Sequence, residues 1–241
     1  MAGQARHTGD VGQGSRARGL DLEAGPLDTE ARLDPAFFAR DALVVARALV
    51  GTFLVRHAPD AAGGPKIVRI VETEAYRGPK DLACHARAGL TKRTRTLFGP
   101  PGRAYVFLIY GMYDCFNVVA HAEGKGHAIL VRAGEPIAGI APGVRTDGPG
   151  RVTRALGITR EDNDKDLRGD EVFLLPRRTR PSIVAGPRVG VGYAGSWAEK
   201  PWRFCERSSV HASRPSAKTI GLGPGALAAP RDRARESARR S

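Results

Sequence analysis

Apolar and polar positions alternate in two ways along this chain. From Asp34 an apolar stripe runs at helical spacing through Phe38, Ala42, Val45, Ala46 and Leu49, and Gly51 stops it. Asp34-Pro35 supplies a capping side chain and then a proline at the first helical position, so one helix is predicted between Pro35 and Gly51. Beyond it, runs rich in β-branched and aromatic residues predict strands at 52–57, 66–76, 103–110, 115–120, 127–133, 171–175 and 183–191. A short helix is predicted over 150–156, behind Gly148-Pro149, and the acidic run EDNDKD at 161–166 reads as a solvated loop. Many strands, few helices and heavy use of Gly (30) and Pro (17) indicate an α+β fold: a single domain with a curved antiparallel β-sheet flanked by helices.

The two ends lack this patterning. Residues 1–33 and 211–241 show no hydrophobic period and are expected to be flexible tails, the second one basic, which leaves the folded domain at 34–210. Over all 241 residues, Lys plus Arg is 38 against 25 for Asp plus Glu, a formal charge of +13. That excess favours a polyanionic partner, nucleic acid first. Three cysteines cannot form a paired framework, so a reducing, cytoplasmic setting is expected. No apolar run approaches the roughly 18–20 residues of a membrane span, and no membrane partner is expected.

Three segments carry candidate chemistry. In the strand at 66–76, simple alternation puts Val68, Ile70, Glu72, Glu74 and Tyr76 on one face, an apolar start followed by two carboxylates and an aromatic. Such a strand leaves a core and enters a cleft, where an acid can act as a base; a solvated edge strand is the plainer explanation. In RAYVFLIYGMYDCFNVV at 103–119, two strand-like runs flank Tyr110-Gly111-Met112-Tyr113, a protruding hairpin whose tip is aromatic instead of Asn- or Asp-rich. Such a tip either packs under a loop or inserts between base steps. The stretch 87–103 contains Arg87, Lys92, Arg93, Arg95 and Arg103 interleaved with threonines, a plausible phosphate clamp or a charged surface loop. A second basic region spans Arg177, Arg178, Arg180 and Arg188. His85, His121 and His127 with the two glutamates lack metal-site spacing, and GPPGR at 99–103 lacks the Lys-Ser/Thr of a phosphate loop, so no metal and no cofactor is expected.

Four of these motifs occur together and in order: ETEAY at 72–76, YGMYDCFN at 110–117, ILVRAGEP at 129–136 and RVGVGYAG at 188–195. With the span from Asp34 to Phe204, they resemble the alkyladenine (3-methyladenine) DNA glycosylase family. The resemblance implies a monofunctional enzyme of base excision repair. It would act as a monomer on double-stranded DNA, flip out alkylated or damaged purines and leave an abasic site. By the same resemblance Glu74 activates the attacking water, Arg132 holds that water, and the main-chain carbonyl of Val189 completes the water site. Tyr76, His85 and Phe107 sandwich the extruded base, Tyr110 fills the gap in the duplex, and Asn117 disfavours the exocyclic amine of guanine. Phe107 stands where relatives often carry tyrosine, the stretch from Pro136 to Gly148 is short, and Tyr193 replaces a frequent histidine. No lysine lies in the matched motifs, so no Schiff-base lyase step is expected. The rival classes are a non-enzymatic damage-sensing DNA-binding protein, which leaves Glu74 beside Arg132 unexplained, and a metal-dependent nuclease.

Overall fold

The structure is a computed structural model that describes residues 27–57, 64–207 and 209–213. It contains three α-helices, α1 (Pro35–Phe38), α2 (Ala42–Leu49) and α3 (Pro149–Leu156). Its strands are β1 (Phe53–Arg56), β2 (Lys66–Arg77), β3 (Ala104–Ile109), β4 (Tyr113–Ala120), β5 (His127–Ala138), β6 (Val172–Leu175), β7 (Ile183–Gly186) and β8 (Arg203–Glu206). These form one curled antiparallel sheet in the order β3-β4-β5-β2-β1-β6, with β8 paired to β2 and β7 to β8. The α+β class, the antiparallel sheet and the hairpin are as the sequence pattern predicts.

β2 is the axis of the fold. Its first residues, Lys66–Arg69, pair with β1, and Glu72–Glu74 pair with β8, while β5 runs along its other edge for nearly the whole length. α2 lies across β2 with Ala42, Val45, Ala46 and Leu49 fully buried, and the Thr73 hydroxyl donates to the Ala46 carbonyl at 2.8 Å. The single predicted helix is two. Asp41 adopts extended backbone and its Oδ1 accepts from Leu43 N–H, so a second cap restarts the helix after α1. α3 packs on β4 and β5 and braces the β3–β4 hairpin, its Thr153 hydroxyl donating to the Asp114 carbonyl at 2.8 Å.

Simple alternation fails on β2, and the failure matters. Ile70 pairs with Gly134 and Glu72 with Ala133, so Val71 is an extra residue on β2. One step later Thr73 pairs with Val131, so Arg132 is the extra residue on β5. Each bulge shifts the parity of its strand. Val68 and Ile70 therefore share the α2 face with Thr73 and Ala75, not with Glu72, Glu74 and Tyr76 as alternation predicts.

Other boundaries also moved. The strand predicted at 183–191 ends at Gly186, before Pro187, which cannot donate to a ladder. β5 continues to Ala138 through Pro136, accommodated at a further register shift. β8 was not predicted, because a buried charge, Arg203, interrupts its apolar run. The EDNDKD run is not simply solvated. Asp162 is buried, caps a short 3-10 turn and ion-pairs with Arg56, and Asn163 Oδ1 accepts from Val106 N–H. Residues at both predicted tails also join the fold. Leu33 is buried with its N–H donating to Leu174, Arg32 lies over Phe173 at 3.5 Å, and Ala212 and Ser213 are buried. Residues 1–26 and 214–241 lie outside the described residues.

Gly150 on α3 has no room for a side chain, since a Cβ would sit 2.8 Å from Tyr113 Cβ. Gly150→Ala should destabilise the fold by about 1–3 kcal/mol through overpacking, read as a lower denaturant midpoint at unchanged m-value; an unaltered midpoint would show that the hairpin base yields freely.

Candidate active site

The sheet, α3 and the loop after β7 enclose a cleft of about 880 Å³. Of the residues singled out in the sequence, Tyr76, His85, Arg93, Phe107, Tyr110, Asn117, Arg132 and Val189 all line it. Glu74 sits directly behind, with no solvent exposure. The two bulges explain this convergence. They turn Glu74 and Arg132 from adjacent strands to the cleft side of the sheet, away from α2.

Glu74 is held by three groups. Val189 N–H donates to its Oε1 at 2.7 Å, Tyr76 Oη donates to its Oε2 at 2.9 Å, and Arg132 Nη1 lies 3.4 Å from Oε1. A carboxylate accepts about four hydrogen bonds, so a position remains for one more donor, such as water. The main-chain group of Val189 that reaches Glu74 is thus its N–H, whereas the resemblance assigns a role to its carbonyl. Burial, then the neighbouring Glu74, pushes the Tyr76 phenol well above its ordinary value, so it stays a donor at neutral pH.

The aromatic walls are set by neighbours that sequence reasoning missed. Arg188, counted in the sequence as part of a basic surface region, is 5% exposed and forms a buried ion pair with Asp81 at 2.6 Å. Its guanidinium covers the Tyr76 ring at 4.7 Å, and Nη1 also donates to the Ala75 carbonyl. Across the cleft, His85 meets Phe107 edge to face at 4.5 Å, and its Nδ1 is 3.1 Å from Tyr105 Oη. Burial, and secondarily Arg93, lowers His85 to about 4, so the imidazole is neutral at physiological pH. Asn117 is buried, and both its amide protons are engaged by the Tyr105 and Cys115 carbonyls.

The hairpin tip stands over the mouth. Tyr110 is 78% exposed, with Met112 and Tyr113 also exposed beside it. Tyr110 and Gly111 both have positive φ (52° and 68°), and Met112 N–H closes the turn onto the Ile109 carbonyl. That geometry favours Asn-Gly, and a tyrosine there carries roughly 1–2 kcal/mol of backbone strain. A large ring is placed at a strained, solvent-facing position, where packing gives it nothing.

The basic stretch divides. Arg93 reaches the cleft and lies 5.6 Å from the Phe107 ring centre, and Arg87 lines an adjoining groove. Lys92 and Arg95 are exposed and line neither. Behind Glu74, Glu72 joins Arg132, Arg203 and Ser213 in a network no motif indicated. Only the presence of a charge within the apolar run WRFCE hinted at it. One group among the described residues has metal-ligand types, Asp41, His121 and His127, lying apart from the cleft lining. Both Asp41 oxygens already serve, one as the α2 cap and one for Arg77, and the His121 Nδ1 accepts from Ala122 N–H. The three cysteines are buried, and burial pushes each thiol up, to about 11 for Cys84 and Cys115 and about 12 for Cys205, so none is a reactive thiolate.

Residues 36–210 match the family described as methylpurine-DNA glycosylase. A protein of Myxococcus xanthus is 53% identical over 184 residues, covering 76% of this chain and 93% of its own. One from Anaeromyxobacter dehalogenans is 54% identical over 187 residues, 77% of this chain and 88% of its own. One from Legionella pneumophila is 45% identical over 185 residues, 76% and 98% respectively. All three carry names that place them among 3-methyladenine DNA glycosylases.

The His85 shift makes a pH prediction. Between about 4 and the ordinary 6.5, the unfolded chain binds a proton that the folded one refuses. Stability therefore rises with pH across that window, and this contribution, complete above 6.5, is lost on acidification towards 4. His85→Gln should reduce the slope of melting temperature against pH between 6.5 and 4, leaving the share of His127, which burial also lowers to about 4, and no reduction is expected if the His85 imidazole titrates normally.

Proposed function

The chain belongs to the methylpurine-DNA glycosylase family, and from that premise we propose which residues carry out the reaction and on what. As a DNA glycosylase of base excision repair it binds damaged DNA and hydrolyses the N-glycosidic bond. The substrates proposed are alkylated or otherwise damaged purines in duplex DNA, and the acting species is a monomer in the cytoplasm, at the nucleoid. The observation that carries the assignment is the buried Glu74, gripped by Val189 N–H, Tyr76 and Arg132, at the back of an aromatic cleft.

The glycosidic bond is hidden in the stack, so the nucleotide must rotate out, at a few kcal/mol, least for a damaged pair. Tyr110 is the wedge: its ring is already outside the fold, on a rigid strained turn, and enters the vacated stack without reorganisation of the core. The base enters between Tyr76 on one wall and His85 with Phe107 on the other. Arg188 fixes the Tyr76 ring from one side, so the base uses the ring's free face. Asn117, its amide donors engaged, presents a fixed edge to the purine.

The bond breaks towards an oxocarbenium-like sugar, and the departing purine takes the bonding electrons. The Glu74 carboxylate stabilises the positive sugar and accepts a proton from the water that attacks the anomeric carbon. Arg132, against Glu74 and lining the cleft, orients that water. Water is the only co-reactant required, and with no lysine lining the cleft among the described residues the product keeps an intact backbone. Phosphates flanking the flipped nucleotide are met by Arg93 and Arg87 at the rim, with Lys92 and Arg95 adding long-range attraction.

Incubation with methylated duplex DNA should release free purine in excess EDTA, with strand scission only after alkali or heat. Glu74→Gln should retain DNA binding while excision drops about a thousandfold or more; near-normal excision would sink the assignment. Tyr110→Ala should weaken binding to abasic DNA roughly tenfold by deleting the stacking ring, and an unchanged affinity would remove the wedge.

A further inference from the structure

The cleft residues rest on a second layer that the reaction as written does not use. Glu72 is fully buried and accepts four hydrogen bonds: from Arg132 Nε at 2.8 Å, Arg203 Nε at 2.7 Å, Ser213 Oγ at 2.8 Å and Ser213 N–H at 2.5 Å. Ser213 also touches both arginines, its Oγ accepting from Arg132 Nη2 at 3.2 Å and its carbonyl from Arg203 Nη2 at 3.0 Å. Ser213 thus bonds to three charged members of the network, Glu72, Arg132 and Arg203. It lies three positions past the family-matched span, which ends at 210, in a segment whose sequence is unpatterned.

The geometry divides the work on Arg132. Its Nε is fixed by Glu72, its Nη2 by Ser213, and only Nη1 faces Glu74, at 3.4 Å. A guanidinium is a planar fork, so pinning two of its nitrogens sets the direction of the third. Without the hydroxyl, Arg132 pivots about its single bond to Glu72. From this we propose that Ser213 is a positioning residue for the glycosylase reaction. Through Glu72 and Arg132 it sets the angle at which a cation meets Glu74 and the attacking water, so the carboxyl-terminal strap completes the active site. The inference rests on the role proposed above for Glu74.

Ser213→Ala keeps the N–H bond to Glu72 and deletes both hydroxyl contacts, while Ser213→Thr keeps the hydroxyl. Single-turnover excision from methylated duplex DNA, with enzyme in excess, reads the chemical step. Ser213→Ala is expected to slow it roughly tenfold, since of the two hydroxyl bonds it loses, the one from Arg132 Nη2 is the one that aims the guanidinium at Glu74. The half-saturating enzyme concentration should stay at its wild-type value, the melting temperature should fall by no more than several degrees so that the variant is fully folded at the assay temperature, and Ser213→Thr should restore the rate to within about twofold. Three results overturn the proposal: a wild-type rate in Ser213→Ala, equal losses in both variants, or a rate loss accounted for by a fall in DNA affinity or in the folded fraction at the assay temperature. Wild-type protein that releases no purine would instead overturn the proposed function, so the two failures are distinguishable.

Discussion

Two carboxylates and two guanidiniums, Glu72, Glu74, Arg132 and Arg203, are packed together at the centre of this sheet with almost no solvent contact. Each ion alone would cost several kcal/mol to desolvate; as a neutral quartet with well-made hydrogen bonds they are tolerated. Such a cluster adds little to stability relative to an apolar core of the same volume. It is, however, strongly destabilised by removing any one partner, since a charge is then left buried. The architecture around it follows from that constraint. β2 must carry both acids, β5 must deliver Arg132 and β8 must deliver Arg203. The strap at Ser213 closes the last open face.

Those demands conflict with a regular ladder. On plain antiparallel strands, Glu72 and Glu74 would continue the face of Val68 and Ile70, under α2, where a charge finds no partner. The extra residues Val71 and Arg132 resolve the conflict by shifting parity in β2 and β5 at adjacent positions. This is also why the sequence revealed the site better than its placement. Glu72, Glu74 and Tyr110 stood out because acids and an aromatic tip occur where neither core nor ordinary turn chemistry wants them, whereas the choice of Glu74 over Glu72 and the role of Arg132 came from the resemblance alone. The bulges were not legible, because a bulge is a relation between two strands. Arg188 and Arg203 were opaque for a similar reason. A lone arginine has the same local signature on a surface as in a buried pair, and only the tertiary positions of Asp81 and Glu72 distinguish them. The break between α1 and α2 was, by contrast, written in Asp41, a second capping residue masked by an uninterrupted apolar stripe.

The charge around the cleft bears on how a damaged base is told from a normal one. A purine made cationic by alkylation is attracted to aromatic faces by roughly 0.5–2 kcal/mol. Here both aromatic walls already have a guanidinium nearby, Arg188 at Tyr76 and Arg93 at Phe107, and Arg132 faces the same space. Arg188 and Arg132 are paired with Asp81, Glu72 and Glu74, so of the three only Arg93 opposes that attraction, and His85, held neutral, adds none of its own. On the proposed mechanism, a gain of that size discriminates cationic lesions by at most about thirtyfold in binding, and the larger discrimination passes to the chemical step. A positively charged purine departs as a neutral base and needs little help, whereas an undamaged purine departs as an anion from a cleft in which, among the described residues, no acid is placed to protonate it. Tyr76 is bonded to Glu74 and held well above its ordinary value, so it is poorly placed to serve as that acid. An enzyme arranged this way can admit many purines and cleave few, because selectivity lies in leaving-group stability.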